Sequence, residues 1–90
     1  MRSGRLWYTR LNSGRVRSAA GGWMHLCRTG TPDWQVVMGG RIVFFEVKKL
    51  GEEPTKEQLE QHALLRAQGA KVYVVRTLNQ VTLSLGLNAS

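Results

Sequence analysis

The sequence predicts an α/β fold with a mixed β-sheet, in which an antiparallel hairpin is followed by a β-α-β crossover. Three observations predict it. Two apolar runs within residues 34–47 are joined by a Gly-Gly pair, a helix-start signature lies at 55–58, and a β-branched run covers 71–76. The length suits one domain, to which we assign residues 1–90.

The chain before the hairpin is strongly basic. Residues 6–11 alternate and contain aromatics, which predicts a strand, and we interpret 12–32 as a mobile basic loop around one short strand at 23–27. The first 32 residues contain no acid, while the whole chain has a formal net charge of +7. Guanidinium groups bind phosphate in a bidentate manner, so this bias indicates a nucleic-acid partner, although a solvated arm would show the same charge. The residues expected to bind nucleic acid are Arg10, Arg15, Arg17, Arg28 and Lys49.

The Gly39-Gly40 turn sets the register of the hairpin, because a two-residue turn of this type requires positive φ at both central positions. Counting back from the turn places Asp33 opposite Glu46. Opposed residues share one face with Cβ atoms about 4.5–5.5 Å apart, and Lys48, two residues beyond Glu46, falls on the same face. A slip of one residue would put the two acids on opposite faces.

These three charged residues predict a metal site. Charged side chains within apolar runs are costly to bury unless they are paired or bind a metal, and two close carboxylates suit a hard cation such as Mg²⁺ or Mn²⁺. Taken singly, Asp33 could be a turn residue, Glu46 could lie on a solvated face, and Lys48 could be a strand end. Apolar residues on both faces of 42–47 instead indicate a strand that is covered on both sides, which favours the site.

The spacing Pro32-Asp33, twelve residues, Glu46-Val47-Lys48 resembles the PD-(D/E)XK signature of metal-dependent nucleases. Several further segments are similar to the VRR-NUC (virus-type replication-repair nuclease) branch of that superfamily, in its stand-alone phage or bacterial form. They are Tyr8–Gly14, Gly30-Thr31, Gln58 at the start of a helix, Gly69 at its end, and the strand 71–76. The resemblance covers roughly residues 5–85 and implies a restriction-endonuclease-like core.

The resemblance also implies the roles of the site residues. Asp33, Glu46, Lys48 and Gln58 are the expected catalytic residues, and Asp33, Glu46 and the backbone carbonyl of Val47 are the expected ligands of Mg²⁺ or Mn²⁺. In the wider superfamily a first helix contributes a glutamate, whereas the first acidic residue here is Asp33. We therefore expect that helix to be missing or reduced, with water and substrate phosphate completing the metal shell.

The segment after the hairpin predicts a helix. Thr55-Lys56-Glu57-Gln58 is a capping-box signature, and the helix is expected to run to about Gln68 with Gly69 as its C-cap. Gln58 could simply bond to the backbone of Thr55, or on resemblance it could face the active site. We expect these roles to compete for one amide and favour the second. His62, like His25, is expected to be partly buried or at the surface.

The C-terminal segment 78–87 permits two interpretations. Its apolar residues alternate, which is typical of a strand, but Asn79 could cap a helix, and the resemblance favours the helix.

The function that the resemblance implies is a metal-dependent, structure-specific DNA endonuclease. It would act as a homodimer on branched DNA such as four-way (Holliday) junctions. The alternatives are a basic module without catalysis, in which the two acids merely pair with Lys48, and a nuclease of duplex, flap or RNA substrates. The single cysteine, the lack of a signal-peptide pattern and the lack of a run of about 20 apolar residues predict a cytoplasmic protein, as for a phage product inside its host.

Overall fold

The computed structural model describes residues 6–11, 15–17, 19–25 and 27–86, and it confirms the predicted α/β class. The strands are β1 (Leu6–Arg10), β2 (Arg15–Arg17), β3 (Trp23–His25), β4 (Trp34–Met38), β5 (Arg41–Val47) and β6 (Lys71–Val75). The helices are α1 (Lys56–Ala67) and α2 (Leu78–Ser84). Within the described ranges no helix precedes α1, and no helix is long and apolar enough to cross a membrane.

Four strands form a mixed sheet in the order β1-β4-β5-β6. The first two pairings are antiparallel and the β5–β6 pairing is parallel, as the hairpin and the crossover require. The predicted hairpin register is confirmed, since Trp34 pairs with Phe45. Gly39 and Gly40 have φ angles of 58° and 78°, which explains why glycine occupies both turn positions.

Helix α1 connects β5 to β6 and begins as predicted. Thr55 is its N-cap and both bonds of the capping box are present. The C-cap is Gln68 rather than Gly69; the glycine follows the cap with a φ of 93°. A left-handed residue one position after the cap is a common way to end a helix, so the shift concerns only the boundary.

Helix α2 covers the other face of the sheet, where the apolar core lies. The core residues Val36, Val43, Phe45 and Val75 are all buried, and Val81 and Leu85 of the α2 region pack against them. The helical interpretation of this segment is confirmed, but its N-cap is Thr77 instead of Asn79. The four-residue spacing between the two packing side chains is that of a helix face.

The short strand predicted at 23–27 is present as β3, but the segment 12–32 contains a second strand, β2, that was not predicted. Strands β2 and β3 pair antiparallel with each other and form a separate two-stranded ribbon, with Arg15 opposite His25 and Arg17 opposite Trp23. Strand β2 is three residues long and two of them are arginines, so it shows no apolar pattern that could have predicted it.

Candidate functional site

The two predicted acids meet at the end of the hairpin. Asp33 directly precedes β4, and its Oδ2 accepts a hydrogen bond from the backbone N–H of Val47 at 2.8 Å. Glu46 lies near the end of β5 and is 1% exposed. The two carboxyls are close enough for Asp33 to raise the pKa of Glu46. The structure therefore brings together the pair that the hairpin register predicts.

Burial and the neighbouring acid change the ionisation of Glu46. Its pKa is raised to about 8, first by loss of solvation and then by the hydrogen bond to Asp33 and the charge of Asp33, while the charge of Lys48 lowers it. At neutral pH the Glu46 carboxyl is therefore mostly protonated in the metal-free protein. A cation between the two carboxyls would take the place of that proton.

Helix α1 supplies two hydrogen bonds to Glu46. The Gln58 amide nitrogen donates to Glu46 Oε2 at 3.2 Å, and His62 Nε2 lies 3.2 Å from Glu46 Oε1. The oxygen of the Gln58 amide meanwhile accepts from the N–H of Thr55 at 2.8 Å. The expected competition between capping and the site is therefore wrong, because the two ends of one amide serve both.

The prediction of a partly buried or surface position for His62 is wrong. Its exposed fraction is 0%, and burial together with the charges of Arg66 and Lys48 lowers its pKa. The imidazole is therefore neutral at pH 7, and its contact with Glu46 is a hydrogen bond rather than an ion pair. The signal that could have found it is its position four residues after Gln58, on the same face of α1.

Lys48 is near the acids without being paired to them. Its backbone N–H bonds to the carbonyl of Val75 at 3.0 Å, and its side chain is partly exposed. Within the described ranges the charged contacts of acidic side chains are the Glu53–Arg76 ion pair and the Glu46–His62 hydrogen bond, and Lys48 takes part in neither. This geometry disfavours the alternative in which the acids merely pair with Lys48.

The loop before Asp33 is held tightly against the start of α1. Gly30 has a φ of 88°, and a Cβ at this position would collide with the backbone carbonyl of Glu57. Thr31 bonds to the carbonyl of Arg28 through both its backbone N–H (3.1 Å) and its hydroxyl (2.6 Å), and Pro32 is fully buried. The loop therefore fixes the position of Asp33 relative to α1.

The predicted nucleic-acid-binding residues lie in three places. Arg10 is exposed at the end of β1, and the next residue, Leu11, donates its N–H to the carbonyl of Asp33 at 2.7 Å. Arg28 is exposed in the loop that leads to Asp33, and Lys49 is exposed just after β5. Arg28 lies five residues before Asp33 and Lys49 lies three residues after Glu46. Arg10 pairs with Trp34, the residue that follows Asp33. The remaining two, Arg15 and Arg17, are in the ribbon strand β2, and their side chains lie outside the described part.

The donor set fits a hard divalent cation. The described residues contain no group of three His, Cys, Asp or Glu side chains arranged for a metal, so the protein side chains offer two carboxylates. Each carboxylate oxygen has two lone pairs, so the bonds from α1 leave Glu46 able to bind a cation. Oxygen ligands from one or two carboxylates, with water for the remainder, are typical of Mg²⁺.

One curated protein is similar to about half of this chain. It is described as "Putative nuclease p44" from Acyrthosiphon pisum secondary endosymbiont phage 1, and it is 47% identical over 49 residues. Those residues are 53% of this chain and 53% of that protein, so the chain spans about half the length of its relative. The chain matches no protein-family profile and no solved structure.

Proposed function

We propose that this chain is a metal-dependent nuclease whose active centre is formed by Asp33, Glu46 and Lys48. The observation that carries the proposal is the burial of Glu46 beside Asp33, which raises the pKa of Glu46 to about 8. A buried carboxyl with a strongly perturbed pKa beside a second acid is typical of functional sites. The similarity of half of the chain to a phage protein described as a nuclease supports the same chemistry.

Each residue has a proposed role in phosphodiester hydrolysis. Asp33, Glu46 and the carbonyl of Val47 would hold Mg²⁺ or Mn²⁺, which when bound polarises the phosphoryl oxygen and lowers the pKa of a bound water. Lys48, free of an ion pair with either acid, offsets the negative charge that develops in the transition state. Gln58 orients the Glu46 carboxyl, and its second amide N–H is left for the attacking water or a phosphate oxygen.

The substrate and the assembly are further parts of the proposal, and they rest on the resemblance to the VRR-NUC branch. We propose branched DNA, in particular a four-way junction, as the substrate, and a homodimer in the cytoplasm as the active form. A two-fold dimer presents two identical sites, which matches the symmetry of a junction and permits paired cuts. The exposed basic residues Arg10, Arg28 and Lys49 would contact the phosphates on either side of the cut.

The experiment that tests this function is a cleavage assay on labelled duplex, single-stranded, flap and four-way-junction DNA and on RNA, with Mg²⁺, Mn²⁺ or a chelator. We expect metal-dependent cutting of the junction. Asp33→Ala and Lys48→Ala should abolish cutting and leave DNA binding in a gel-shift assay largely intact. Lys71→Ala is the matched control, because it removes one exposed lysine of β6 at a distance from the acids. Lys71 pairs with Val43, which lies three residues before Glu46 in β5.

The outcomes separate the alternatives. Binding of DNA without cutting under any metal condition indicates the non-catalytic module, and cutting of duplex, flap or RNA in preference to the junction corrects the substrate. Cutting by Asp33→Ala or Lys48→Ala at the wild-type rate would contradict the assigned site. A monomer at micromolar concentration in equilibrium sedimentation would remove the support for paired cuts.

A further inference from the structure

We propose that His62 is a positioning residue, which holds Oε1 of Glu46 through an Nε2–H hydrogen bond and so directs the remaining lone pairs of that carboxyl toward Asp33 and the cation. This inference rests on the proposed nuclease function. It assigns a role to a side chain that neither the chain's motif nor its charge pattern singles out.

The geometry of α1 gives Glu46 two supports from one rigid element. Gln58 and His62 are one helical turn apart, and each places a nitrogen 3.2 Å from a different oxygen of the carboxyl. With both oxygens held, the carboxyl cannot rotate about its terminal bond without losing both contacts. A ligand oriented in this way loses less conformational entropy when it binds a cation, as hydrogen bonds to metal-ligating carboxylates generally achieve.

The second ring nitrogen identifies the tautomer. His62 Nδ1 is buried and has no hydrogen-bond partner among the described atoms. A proton on Nδ1 would leave a buried donor unsatisfied, whereas a proton on Nε2 is donated to Glu46. We therefore assign the Nε2–H tautomer. In that form His62 acts on Glu46 as a donor and offers its own lone pair on the side of the ring away from the carboxyl.

Packing alone does not account for a histidine at this position. A buried imidazole with one unpaired nitrogen is less favourable than a leucine of similar size, because the nitrogen is removed from water without compensation. The remaining polar contact of the ring is with Glu46, so its hydrogen bond to that carboxyl is the feature that a leucine could not replace.

The test compares His62→Leu and His62→Gln with the wild-type protein. Mn²⁺ affinity is measured by calorimetry in the absence of DNA, and the metal concentration for half-maximal cleavage is measured separately from kcat at saturating metal. We expect His62→Leu to bind Mn²⁺ about 10–100-fold more weakly, as is typical when a group behind a metal ligand is removed. His62→Gln keeps an N–H donor and should stay within about threefold of the wild type.

Val72→Ala is the matched control for loss of packing. Val72 is 5% exposed in the neighbouring strand β6, and it pairs with Phe44, which lies on the same face as Glu46. Its side chain has no group that could hydrogen-bond to the carboxyl. We expect this variant to lower the unfolding midpoint and leave Mn²⁺ affinity unchanged. An equal loss of affinity in Val72→Ala and His62→Leu at the same loss of stability would overturn the proposal, as would wild-type affinity in His62→Leu.

The tautomer offers a readout that does not depend on catalysis or on the folding of a variant. Long-range ¹H–¹⁵N spectra of the metal-free wild-type protein should show the His62 proton on Nε2, and a proton on Nδ1 would overturn the proposal. If the wild-type protein binds no Mn²⁺ and cuts no DNA, the proposed nuclease function fails and the positioning role fails with it. Wild-type metal binding that is unaffected in His62→Leu refutes the positioning role alone.

Discussion

The two faces of the sheet are built in different ways, although they share the same strand. Phe45 and Glu46 are neighbours in β5, and their exposed fractions are 2% and 1%. On the Phe45 face, apolar side chains pack against α2. On the Glu46 face, α1 contacts the sheet through hydrogen bonds to the Glu46 carboxyl and to the backbone carbonyl of Val72, and His62 is the only buried residue of this helix. Both residues are equally inaccessible to water, but only one of them stabilises the fold by being buried.

The difference between the two faces explains how a small chain can contain a buried carboxyl and still fold. Apolar burial contributes free energy of folding in proportion to the area removed from water, whereas a buried acid opposes folding. Leu59 and Leu64 of α1 remain 53% and 55% exposed. This helix therefore buries little apolar surface that could offset the cost of burying the acid. We infer that the α2 face supplies most of the stability and that the α1 face is shaped for Glu46.

The largest expected effect on stability is on the apolar face. Phe45→Ala should lower the free energy of unfolding by about 3–5 kcal/mol, because it leaves a cavity in the core. Chemical denaturation followed by circular dichroism measures it. Phe44→Ala, on the other face and only partly buried, is the control and should cost less. A loss below about 1 kcal/mol for Phe45→Ala would contradict the assignment of the core to this face.

Glu46→Gln should have an effect that depends on pH. The wild-type carboxyl has a pKa of about 8 when folded and 4.5 as the ordinary value, so the folded state binds the proton more tightly. Its contribution to stability is therefore present below pH 4.5 and is lost as pH rises to about 8. Relative to Glu46→Gln, the metal-free wild-type protein should lose roughly 3–4 kcal/mol over that interval. Parallel stability curves for the two proteins would contradict the raised pKa.

Gly30→Ala tests how closely the Asp33 loop approaches α1. A left-handed alanine costs about 1–2 kcal/mol, and the collision with the Glu57 carbonyl brings the expected loss to roughly 2–3 kcal/mol. Gly51→Ala is the matched control, since Gly51 has a φ of 82° but no atom near its Cβ position. Mn²⁺ affinity should fall in Gly30→Ala alone. Equal losses of stability in both variants would show that the close approach has no energetic consequence.

The smallest expected effects on stability come from removing the two helix caps, and Mn²⁺ binding should distinguish one cap from the other. Thr55 and Thr77 each accept a hydrogen bond of 3.2 Å from the third residue of their helix, so Thr55→Ala and Thr77→Ala should each cost about 1 kcal/mol. Only Thr55→Ala should also weaken Mn²⁺ binding, because its capping box includes Gln58, which holds Glu46. Weaker Mn²⁺ binding in Thr77→Ala as well would show that the two faces are not independent.

Much of the candidate site follows from the sequence because its geometry is local. The Gly39-Gly40 turn fixes which residues face each other in the hairpin, and so places Asp33 near Glu46 before any tertiary contact is known. Thr55 and Gln58 fix the start of α1 in the same way. Backbone conformations and hydrogen bonds between near neighbours impose these features, and the residue types that satisfy them are few.

Tertiary structure decided the rest. The alternation in the α2 segment suited a strand until the packing of Val81 and Leu85 on the core selected the helix, and β2 became a strand by pairing with β3. The burial of His62 depended on how α1 lies across the sheet. The sequence of α1 does not specify this orientation, because the hydrophobic pattern of the helix is weak. The sequence alone thus determined the acid pair and its register. Only the docking of α1 decided which side chains hold the buried carboxyl, because that contact joins residues 16 positions apart on different elements.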